Sequence, residues 1–426
     1  MEISYKKLWK LLIDRDLKKK DLEERAGISH YTMKKLLVGE NVTTEALGRI
    51  SHALGCKIDE IMEITSEEEF STQKKPTAIS LFSGAGGMDV GFESAGFDIV
   101  FANEFDHDAA EAWRINRPDT AHVMIEGDIR DHIDDLSRYK DVDVVFGGPP
   151  CQGFSVAGKM DPNDERSQMV WMFMNAVDKV RPKVFVMENV AALGNLDKWK
   201  NVREGIVKRG NELGYDVTYK VHHTSDYGVP ENRDRIIFVG VLRGLCYLEK
   251  FYKELVFFEA PPISAREVIL SAGKFGSKSN PQTCTASVSL ASHPVMRRSP
   301  YAGMLVNGAG RPINLNGIAP TLPASMGGNK TPIVDEVSLH DATIPNWFET
   351  YHAGLVSGII TPQETSVPAT IRRLTIKECA AIQTFPTGYK FSGKKTKQYK
   401  QIGNAVPCRF AEAVATSVKK ACLGGD

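Results

Sequence analysis

The amino-acid sequence predicts a doubly wound α/β fold with a mostly parallel sheet, preceded by an all-α domain and interrupted by a small irregular β-rich domain. Three observations support this prediction. From residue 77, short apolar runs alternate with helical stretches, as expected where strands are buried on both faces of a sheet. The pattern of residues 1–65 predicts short helices instead. In residues 243–370 strands and helices no longer alternate, and the segment is rich in Gly, Pro, Ser and Thr.

Composition and charge set outer limits on the function. The chain has 426 residues, of which 42% are hydrophobic and 25% charged, so it has ample material for two or three folded domains. The formal net charge is zero. Global charge therefore gives no argument for or against a nucleic-acid partner, and any DNA-binding surface needs locally concentrated positive charge.

The seven cysteines are scattered without a CxxC pair, and the ten histidines show no ligand spacing. This pattern predicts neither a disulfide framework nor a metal site, and it favours a reducing cytoplasm. The amphipathic, charged N-terminus does not resemble a signal peptide, and no apolar run reaches membrane-spanning length. We therefore expect no membrane partner.

The first element is a pair of short helices joined by a turn at Gly27, with Ser29 capping the second helix over residues 29–37. This pattern resembles the repressor-type (Cro/C1-like) helix-turn-helix domain over residues 1–65. The resemblance implies operator binding, typically as a dimer, with the second helix in the major groove. The alternative is a small bundle that contacts proteins. The implied DNA contacts are Ser29, His30, Thr32, Lys34 and Lys35.

A polar linker is predicted over residues 66–76, followed by the α/β block over residues 77–242. Seven apolar runs are predicted as strands of the sheet, at residues 78–82, 99–103, 122–125, 142–146, 184–188, 217–221 and 236–241.

Residues 81–91, LFSGAGGMDVG, follow the first of these strands. Glycines at a strand-to-helix turn let the backbone approach a ligand, although the spacing here is not the dinucleotide GxGxxG. Glu104 ends the second strand, where a ribose hydroxyl acceptor is expected, and Asp128 follows the third. Together these features predict an adenosine-containing ligand, without distinguishing S-adenosylmethionine from NAD.

The chemistry-bearing residues follow later strands. Cys151 stands in GGPPCQGFS, residues 147–155, where two prolines indicate a strand end. A cysteine at such a position is more often a packing residue, but Glu188 ends the next strand and Arg233 and Arg235 share one face of another. A thiolate, a carboxyl and two guanidiniums at one crevice predict covalent catalysis.

These segments resemble the DNA cytosine-5 methyltransferase family. The matching motifs are LFSGAGG, NEFD, GDIR, GGPPCQGFS, MENV, ENRDRIIFVG, RRLTIKECAAIQTFP and QIGNAVP, within residues 77–241 and 371–421. The resemblance implies a Rossmann-like fold dependent on S-adenosylmethionine, in which residues 371–426 complete the catalytic domain. It also implies a cytosine flipped out of double-stranded DNA as the substrate.

The resemblance implies roles for single residues. Cys151 would add to C6 of cytosine, Glu188 would hydrogen-bond or protonate N3, and Arg233 would grip the base carbonyl and favour the thiolate. Arg235 would bind phosphate or brace the loop. One departure is that Glu231 stands where many members carry Gln.

For the cofactor, the resemblance implies that Phe82 stacks on adenine, Glu104 binds the ribose, and Asp128 and Ile129 contact adenine. Residues near the C-terminus complete the pocket. The whole expected set is Phe82, Ser83, Gly84, Gly86, Gly87, Glu104, Phe105, Asp128, Ile129, Pro149, Asn404 and Ala405.

Two regions are expected to contact the substrate DNA. Residues 152–171 would form a mobile loop that closes over the duplex, with Ser155, Lys159 and Arg166 reaching it. Residues 268–334 contain no Asp or Glu and six Lys or Arg, which suits a phosphate backbone. By resemblance, residues 243–370 form the target recognition domain, and the expected contacts there are Arg311, Thr321, Leu322, Asn329 and Lys330.

The leading hypothesis is a DNA cytosine-5 methyltransferase of a bacterial restriction-modification system, whose N-terminal domain represses its own gene at a separate operator. A cognate endonuclease would be its partner in function rather than by contact. Two alternatives are an RNA cytosine-5 methyltransferase and a transcription regulator with an inactive methyltransferase fold. The long recognition block argues against the first, and the intact set of Cys151, Glu188 and Arg233 against the second.

Overall fold

The structure is a computed structural model that describes residues 2–15, 17–37, 39–65, 75–150 and 168–424. The chain divides into two compact units, Met1–Lys75 and Pro76–Asp426. The predicted linker lies at this division, and its residues 66–74 are outside the described residues.

The first unit is a helical bundle with a short antiparallel strand pair, which the sequence did not predict. Leu8, Leu22, Met33 and Ile50 belong to its buried core. Its elements are β1 (Glu2–Ser4), α1 (Lys6–Asp14), α2 (Lys19–Ala26), α3 (His30–Leu37), α4 (Thr44–Leu54) and β2 (Glu63–Thr65).

The predicted helix, turn and helix are confirmed in this unit. Gly27 has φ 58°, in the left-handed region that favours glycine, and it ends α2. The Ser29 hydroxyl oxygen accepts a hydrogen bond from the Thr32 amide at 3.1 Å. Ser29 therefore caps α3, as its residue type predicts.

The second unit is built on a sheet of seven described strands in the order β5-β4-β3-β6-β7-β10-β8. Strands β3 to β7 run parallel, whereas β10 is antiparallel to both of its neighbours. The strands are β3 (Thr77–Leu81), β4 (Asp98–Glu104), β5 (Met124–Glu126), β6 (Val144–Gly147), β7 (Val184–Val190), β8 (Tyr215–His223) and β10 (Asp234–Leu242), with the short β9 (Glu231–Asn232) outside this sheet.

Every predicted strand overlaps an observed one, and the third is displaced. Residues 118–123 form a short 3-10 helix, so β5 begins at Met124. The helices that alternate with these strands are α5 (Gly87–Ser94), α6 (His107–Ile115), α7 (Ile129–His132), α8 (Met169–Val180), α9 (Ala191–Asn195) and α10 (Lys200–Glu212).

The last residues of the predicted mobile loop, 152–171, belong to a helix. Helix α8 begins at Met169 and includes Trp171, because Val170 and Phe173 are buried in the core and hold the first turn of the helix against the sheet. Residues 151–167 are outside the described residues.

The irregular segment of residues 243–370 contains more helix than the predicted β-rich domain. Its first helix is amphipathic and buries Phe251 and Leu255 in the core of the main sheet. The elements are α11 (Leu248–Val256), α12 (Ala265–Ser271), β11 (Leu290–Val295), β12 (Met304–Val306), β13 (Ala319–Pro320), β14 (Ile333–Asp335), α13 (Glu336–His340) and α14 (Trp347–Ser357).

The C-terminal segment returns to the main sheet. It contains β15 (Ile371–Arg373), α15 (Ile376–Ile382), α16 (Lys395–Asn404) and α17 (Cys408–Cys422). Phe410 and Val414 of α17 join Phe92 and Phe146 in the core on one face of the sheet. The opposite face is covered by α8 and α10, so helices lie on both sides, as predicted for a doubly wound fold.

Cys246 and Cys422 form a disulfide with 5.3 Å between their Cα atoms. The scattered cysteines predicted no disulfide framework, and this single bond joins residues 176 positions apart, a pairing that sequence spacing does not reveal. Within the described residues, no helix combines the length and the apolar character needed to cross a bilayer.

Candidate active site

The carboxyl ends of β3, β4, β5, β6 and β7 meet at one edge of the sheet because these strands are parallel. Phe82 directly follows β3 and has φ 55°, an uncommon conformation for a residue with a side chain. The Ser83 hydroxyl lies 2.8 Å from that of Ser80, which fixes the start of the glycine loop. The first predicted cofactor residues are thus at the sheet edge.

Glu104 ends β4 and faces this loop. One carboxylate oxygen accepts a hydrogen bond from the Gly84 amide at 2.7 Å, and the other accepts one from the Asp106 amide at 2.7 Å. Burial raises the pKa of Glu104, although these backbone donors oppose that shift. The adjacent Phe105 side chain is 75% exposed, so an aromatic face beside the carboxyl is open.

Asp128 caps α7 after the end of the next strand. Its carboxylate accepts hydrogen bonds from the Arg130 amide at 2.9 Å and from the Arg130 guanidinium. The Arg130 guanidinium lowers the pKa of Asp128, so this carboxylate stays ionised. Ile129 is buried behind it.

The glycine loop is closed from behind by the C-terminal segment. A side chain at Gly86 would begin 2.8 Å from the Tyr389 hydroxyl, and one at Gly87 would begin 2.6 Å from the Val406 carbonyl oxygen. The Tyr389 hydroxyl donates to the Ala85 carbonyl at 2.6 Å. Glycine is therefore required at both positions by close approach.

Asn404 and Ala405 lie at the end of α16, where Asn404 is exposed and Ala405 is half-buried. Their neighbour Val406 contacts the glycine loop from behind. The C-terminal segment thus reaches the same edge of the sheet, as its return predicts.

The backbone at the end of β6 is fixed by the next strand. The buried Asn189 side chain donates from Nδ2 to the Pro149 carbonyl oxygen at 3.1 Å. This contact, which the sequence did not suggest, holds the chain two residues before Cys151. Cys151 itself is outside the described residues, as are Ser155, Lys159 and Arg166.

Glu188 and Arg235 form the central ion pair of this edge, with 2.5 Å between Oε1 and Nε. The other carboxylate oxygen, Oε2, would lie 2.7 Å from a Cβ at Gly148, so glycine there leaves room for the carboxyl. Burial raises the pKa of Glu188, while the charges of Arg235 and Arg233 oppose the shift.

The two arginines, which the sequence places on one face, have different partners in the structure. Arg233 is 2% exposed, its Nη1 lies 3.3 Å from the Glu231 carboxylate, and its Nη2 donates to the Gly403 and Ala405 carbonyls at 2.8 and 3.0 Å. These partners of Arg233 all belong to the protein itself, so its predicted contact with the base stays a prediction. Arg235, predicted to bind phosphate or brace a loop, contacts Glu188 instead. Burial lowers the pKa of Arg233 to about 10.

The predicted recognition residues divide into two groups. Arg311, Asn329 and Lys330 are exposed, and the Gly310 amide donates to the Asn329 carbonyl, which brings their loops together. Thr321 is exposed, and its hydroxyl donates to the Asn232 carbonyl. Leu322 is fully buried in the core, so the prediction that its side chain contacts DNA is wrong.

Arg373 is a buried residue of this region that the sequence reasoning missed. It donates to the Thr331 carbonyl at 2.8 Å, to the Asn329 carbonyl at 3.2 Å and to the Asn307 carbonyl at 3.3 Å. It therefore fixes the backbone at residues 329–331, where the expected contacts Asn329 and Lys330 lie. The only sequence signal is the pair of arginines in the short strand β15, of which Arg373 is buried and Arg372 half-buried.

In the N-terminal unit, Ser29 and Lys34 are exposed on or beside α3, whereas Thr32 is half-buried. The Lys35 ammonium lies 5.2 Å from the centre of the Tyr31 ring and 4.0 Å from the Glu40 carboxylate. The side chain of His30 is outside the description. No group of three metal-ligating side chains occurs among the described residues.

Comparison with known proteins adds two family matches. Residues 77–420 match the C-5 cytosine-specific DNA methylase family, and residues 7–67 match the Cro/C1-type HTH DNA-binding domain. The chain is 35% identical over 354 residues to the Type II methyltransferase M1.HphI of Haemophilus parahaemolyticus, covering 81% of this chain and 87% of that protein. It is 30% identical to M.NgoPII of Neisseria gonorrhoeae, covering 80% and 95%.

Solved structures resemble the same part of the chain. The S. pombe Dnmt2 methyltransferase superposes with a TM-score of 0.55 at 16% identity and covers 81% of this chain and 99% of that one. The Entamoeba histolytica methyltransferase EhMeth gives 0.55 at 15% identity, with 82% and 99% covered. At these identities the likeness concerns the fold alone.

Proposed function

The chain belongs to the C-5 cytosine-specific DNA methylase family, and on that premise we propose that it methylates C5 of a specific cytosine in double-stranded DNA. The observation that carries the proposal is the Glu188–Arg235 pair beside the backbone that leads to Cys151. A thiolate that adds to C6 and a proton donor at N3 are the groups needed to activate a cytosine ring.

C5 of cytosine is a weak nucleophile, so the ring must first be activated. The Cys151 thiolate forms a bond from Sγ to C6, and the displaced electron pair moves into the ring and raises the electron density at C5. After methyl transfer, the C5 proton leaves to water, and the Sγ–C6 bond breaks to restore the aromatic ring.

Glu188 and Arg235 act on the other side of the base. The raised pKa of Glu188 suits a carboxyl that gives a proton or a hydrogen bond to N3 as negative charge develops there. Arg235, which contacts this carboxylate, is the better candidate than Arg233 for the base carbonyl, because both terminal nitrogens of Arg233 already donate hydrogen bonds within the protein.

The residues at the sheet edge fit S-adenosylmethionine, which supplies an electrophilic methyl group when bound. Glu104 offers a half-buried carboxylate for a ribose diol, and Phe82 and Phe105 offer aromatic faces for adenine. The close approach at Gly86 and Gly87 leaves a backbone-lined loop free of side chains. Asp128, Ile129, Pro149, Asn404 and Ala405 complete the proposed pocket.

The relatives named above are Type II methyltransferases, so we assign the chain to the modification half of a restriction-modification system. Its endonuclease is a partner in function rather than by contact. The N-terminal unit, with Lys34 and Ser29 exposed at α3, is proposed to bind a separate operator as a dimer and to repress the gene of the enzyme.

Covalent trapping tests the proposed chemistry. A duplex in which 5-fluorocytosine replaces cytosine blocks loss of the C5 substituent, so the full chain and S-adenosylmethionine should give an adduct that survives a denaturing gel. Cys151→Ser should give none while still binding the duplex. An adduct that persists in Cys151→Ser, or its absence from a wild-type chain that methylates ordinary DNA, would contradict the mechanism.

A further inference from the structure

Glu231 and Arg233 form an ion pair that is almost completely removed from solvent, with exposed fractions of 0% and 2%. They stand just before β10, the strand that begins with Asp234 and carries Arg235. β9, which contains Glu231, pairs in parallel with β13 of the segment 243–370. The pair therefore lies where the main sheet, the segment 243–370 and the C-terminal segment meet.

On one side, the pair holds the peptide of Leu322 in the predicted recognition segment. The Glu231 Oε1 atom accepts a hydrogen bond from the Leu322 amide at 2.6 Å. The Arg233 Nη1 atom donates to the Leu322 carbonyl at 3.3 Å. Glu231 thus binds the amide of Leu322, and Arg233 binds its carbonyl.

On the other side, Arg233 holds the loop of the proposed cofactor pocket. Its Nη2 atom donates to the carbonyls of Gly403 and Ala405, on either side of Asn404. The two segments also touch directly, since a Cβ at Gly403 would lie 2.6 Å from the Pro323 carbonyl carbon. The two segments are therefore packed against each other without a gap at Gly403.

The pair is a poor device for stability alone. Burying two charges costs much of what their attraction returns, and apolar residues of similar volume often do as well. Within the described residues, Glu231 Oε2 and Arg233 Nε have no hydrogen-bond partner, so the site keeps unmet polar atoms. The pair does fix the position of Leu322 relative to the loop around Asn404.

We propose that Glu231 and Arg233 are positioning residues that couple the DNA-recognition segment to the cofactor-side loop, so that binding of the correct DNA tightens cofactor binding. This role rests on the proposed function. Coupling between two sites is reciprocal, so it is measured from either ligand. Neither residue touches substrate, and both act through Leu322 and through residues 403–405.

The test measures binding rather than turnover. The probes are S-adenosylhomocysteine and two synthetic duplexes, one with the site that bisulfite sequencing identifies and one with that site scrambled. For the wild-type full chain, the correct duplex should tighten S-adenosylhomocysteine binding at least tenfold relative to the scrambled one. Glu231→Ala should reduce this ratio to less than twofold, whereas Glu231→Gln should keep it, because the amide oxygen still accepts from the Leu322 amide.

Asp335→Ala is the matched control. Asp335 is also a buried carboxylate that accepts a backbone hydrogen bond, from the Trp347 amide at 2.9 Å, but no hydrogen bond joins it to residues 403–405 in the described structure. It should lower the melting temperature and leave the ratio intact. Where Glu231→Ala does not fold, Arg233→Lys provides the same test, since it removes the forked contact to Gly403 and Ala405.

Three results would each overturn the coupling. The wild-type ratio of S-adenosylhomocysteine affinities with the correct and the scrambled duplex could be near one, Glu231→Ala could leave this ratio unchanged, or Glu231→Ala and Asp335→Ala could reduce it equally. A wild-type chain that methylates no cytosine would instead overturn the proposed function. The two failures are therefore distinguishable.

Discussion

The guanidinium of Arg235 and the carboxylate of Glu188 approach to 2.5 Å across two antiparallel strands. Glu188 lies opposite Ile237 and Arg235 opposite Val190, and the period of two along a strand turns both side chains to the same face. The register of β7 and β10 therefore brings together two residues that are far apart in the sequence.

Arg235→Ala is expected to lower kcat by about 10²–10³, as for the loss of one preorganised donor at a reacting carbonyl. Binding of S-adenosylhomocysteine should be unchanged, because Arg235 does not contact the glycine loop. Single-turnover methylation and calorimetric binding measure the two effects. Arg209→Ala, which removes a partly exposed ion pair with Asp178 on α10 and α8, is the control. Full activity of Arg235→Ala would contradict the assignment.

The pH dependence of methylation should follow Glu188. Burial raises its pKa, so the carboxyl stays protonated to a higher pH than in an unfolded chain, and the rate falls as pH rises through the raised pKa. Glu188→Gln should lose this alkaline decline together with most of the rate. Single-turnover rates across a pH series test it. An identical profile in both proteins would show that another group titrates.

Asp89 should make the second unit less stable as pH rises. It is fully buried, accepts a hydrogen bond from Trp113 Nε1 at 2.7 Å, and burial raises its pKa to about 6. The pKa of Asp89 is higher in the folded than in the unfolded chain, so the protonated carboxyl contributes to the free energy of unfolding at acidic pH. This contribution is lost as pH rises from about 4 through about 6. The difference amounts to roughly 3 kcal/mol.

Asp89→Asn should remove this pH-dependent loss, because the amide oxygen still accepts the indole hydrogen bond and cannot ionise. Urea unfolding of both proteins at pH 5 and pH 7.5 provides the measurement. Equal loss of stability in the two proteins would contradict the account.

Deletion of residues 1–75 should leave methylation within about threefold of the full chain, because the unit Pro76–Asp426 has its own cores. Operator binding, measured by footprinting upstream of the gene, should disappear. Loss of methylation by a truncated chain that remains folded would show that the two units depend on one another.

Much of the fold followed from local sequence patterns. Buried parallel strands read as continuous apolar runs, and Gly27 with Ser29 marks the turn and cap of the helix pair. The helix at Leu248–Val256 was missed because its two buried residues, Phe251 and Leu255, lie among Gly- and Pro-rich neighbours that suggested irregular structure.

The site was predictable only as a set of residue types at strand ends. Arg233 and Arg235 have the same residue type and the same predicted face, so the sequence could not decide which one meets Glu188. That choice depends on Leu322 and on residues 403–405, whose contacts with Arg233 span 89 to 172 positions. Arg373 and Asn189 were missed for the same reason, since their partners are backbone carbonyls.

The most direct test is to identify the modified base and its position in DNA from cells that express the full chain. We predict that nucleoside mass spectrometry finds 5-methylcytosine and that bisulfite sequencing finds it at one recurring sequence. Cys151→Ser and Glu188→Gln, expressed at equal levels, should leave that sequence largely unmodified. DNA without 5-methylcytosine, or with an equal amount in the Cys151→Ser cells, would contradict the account.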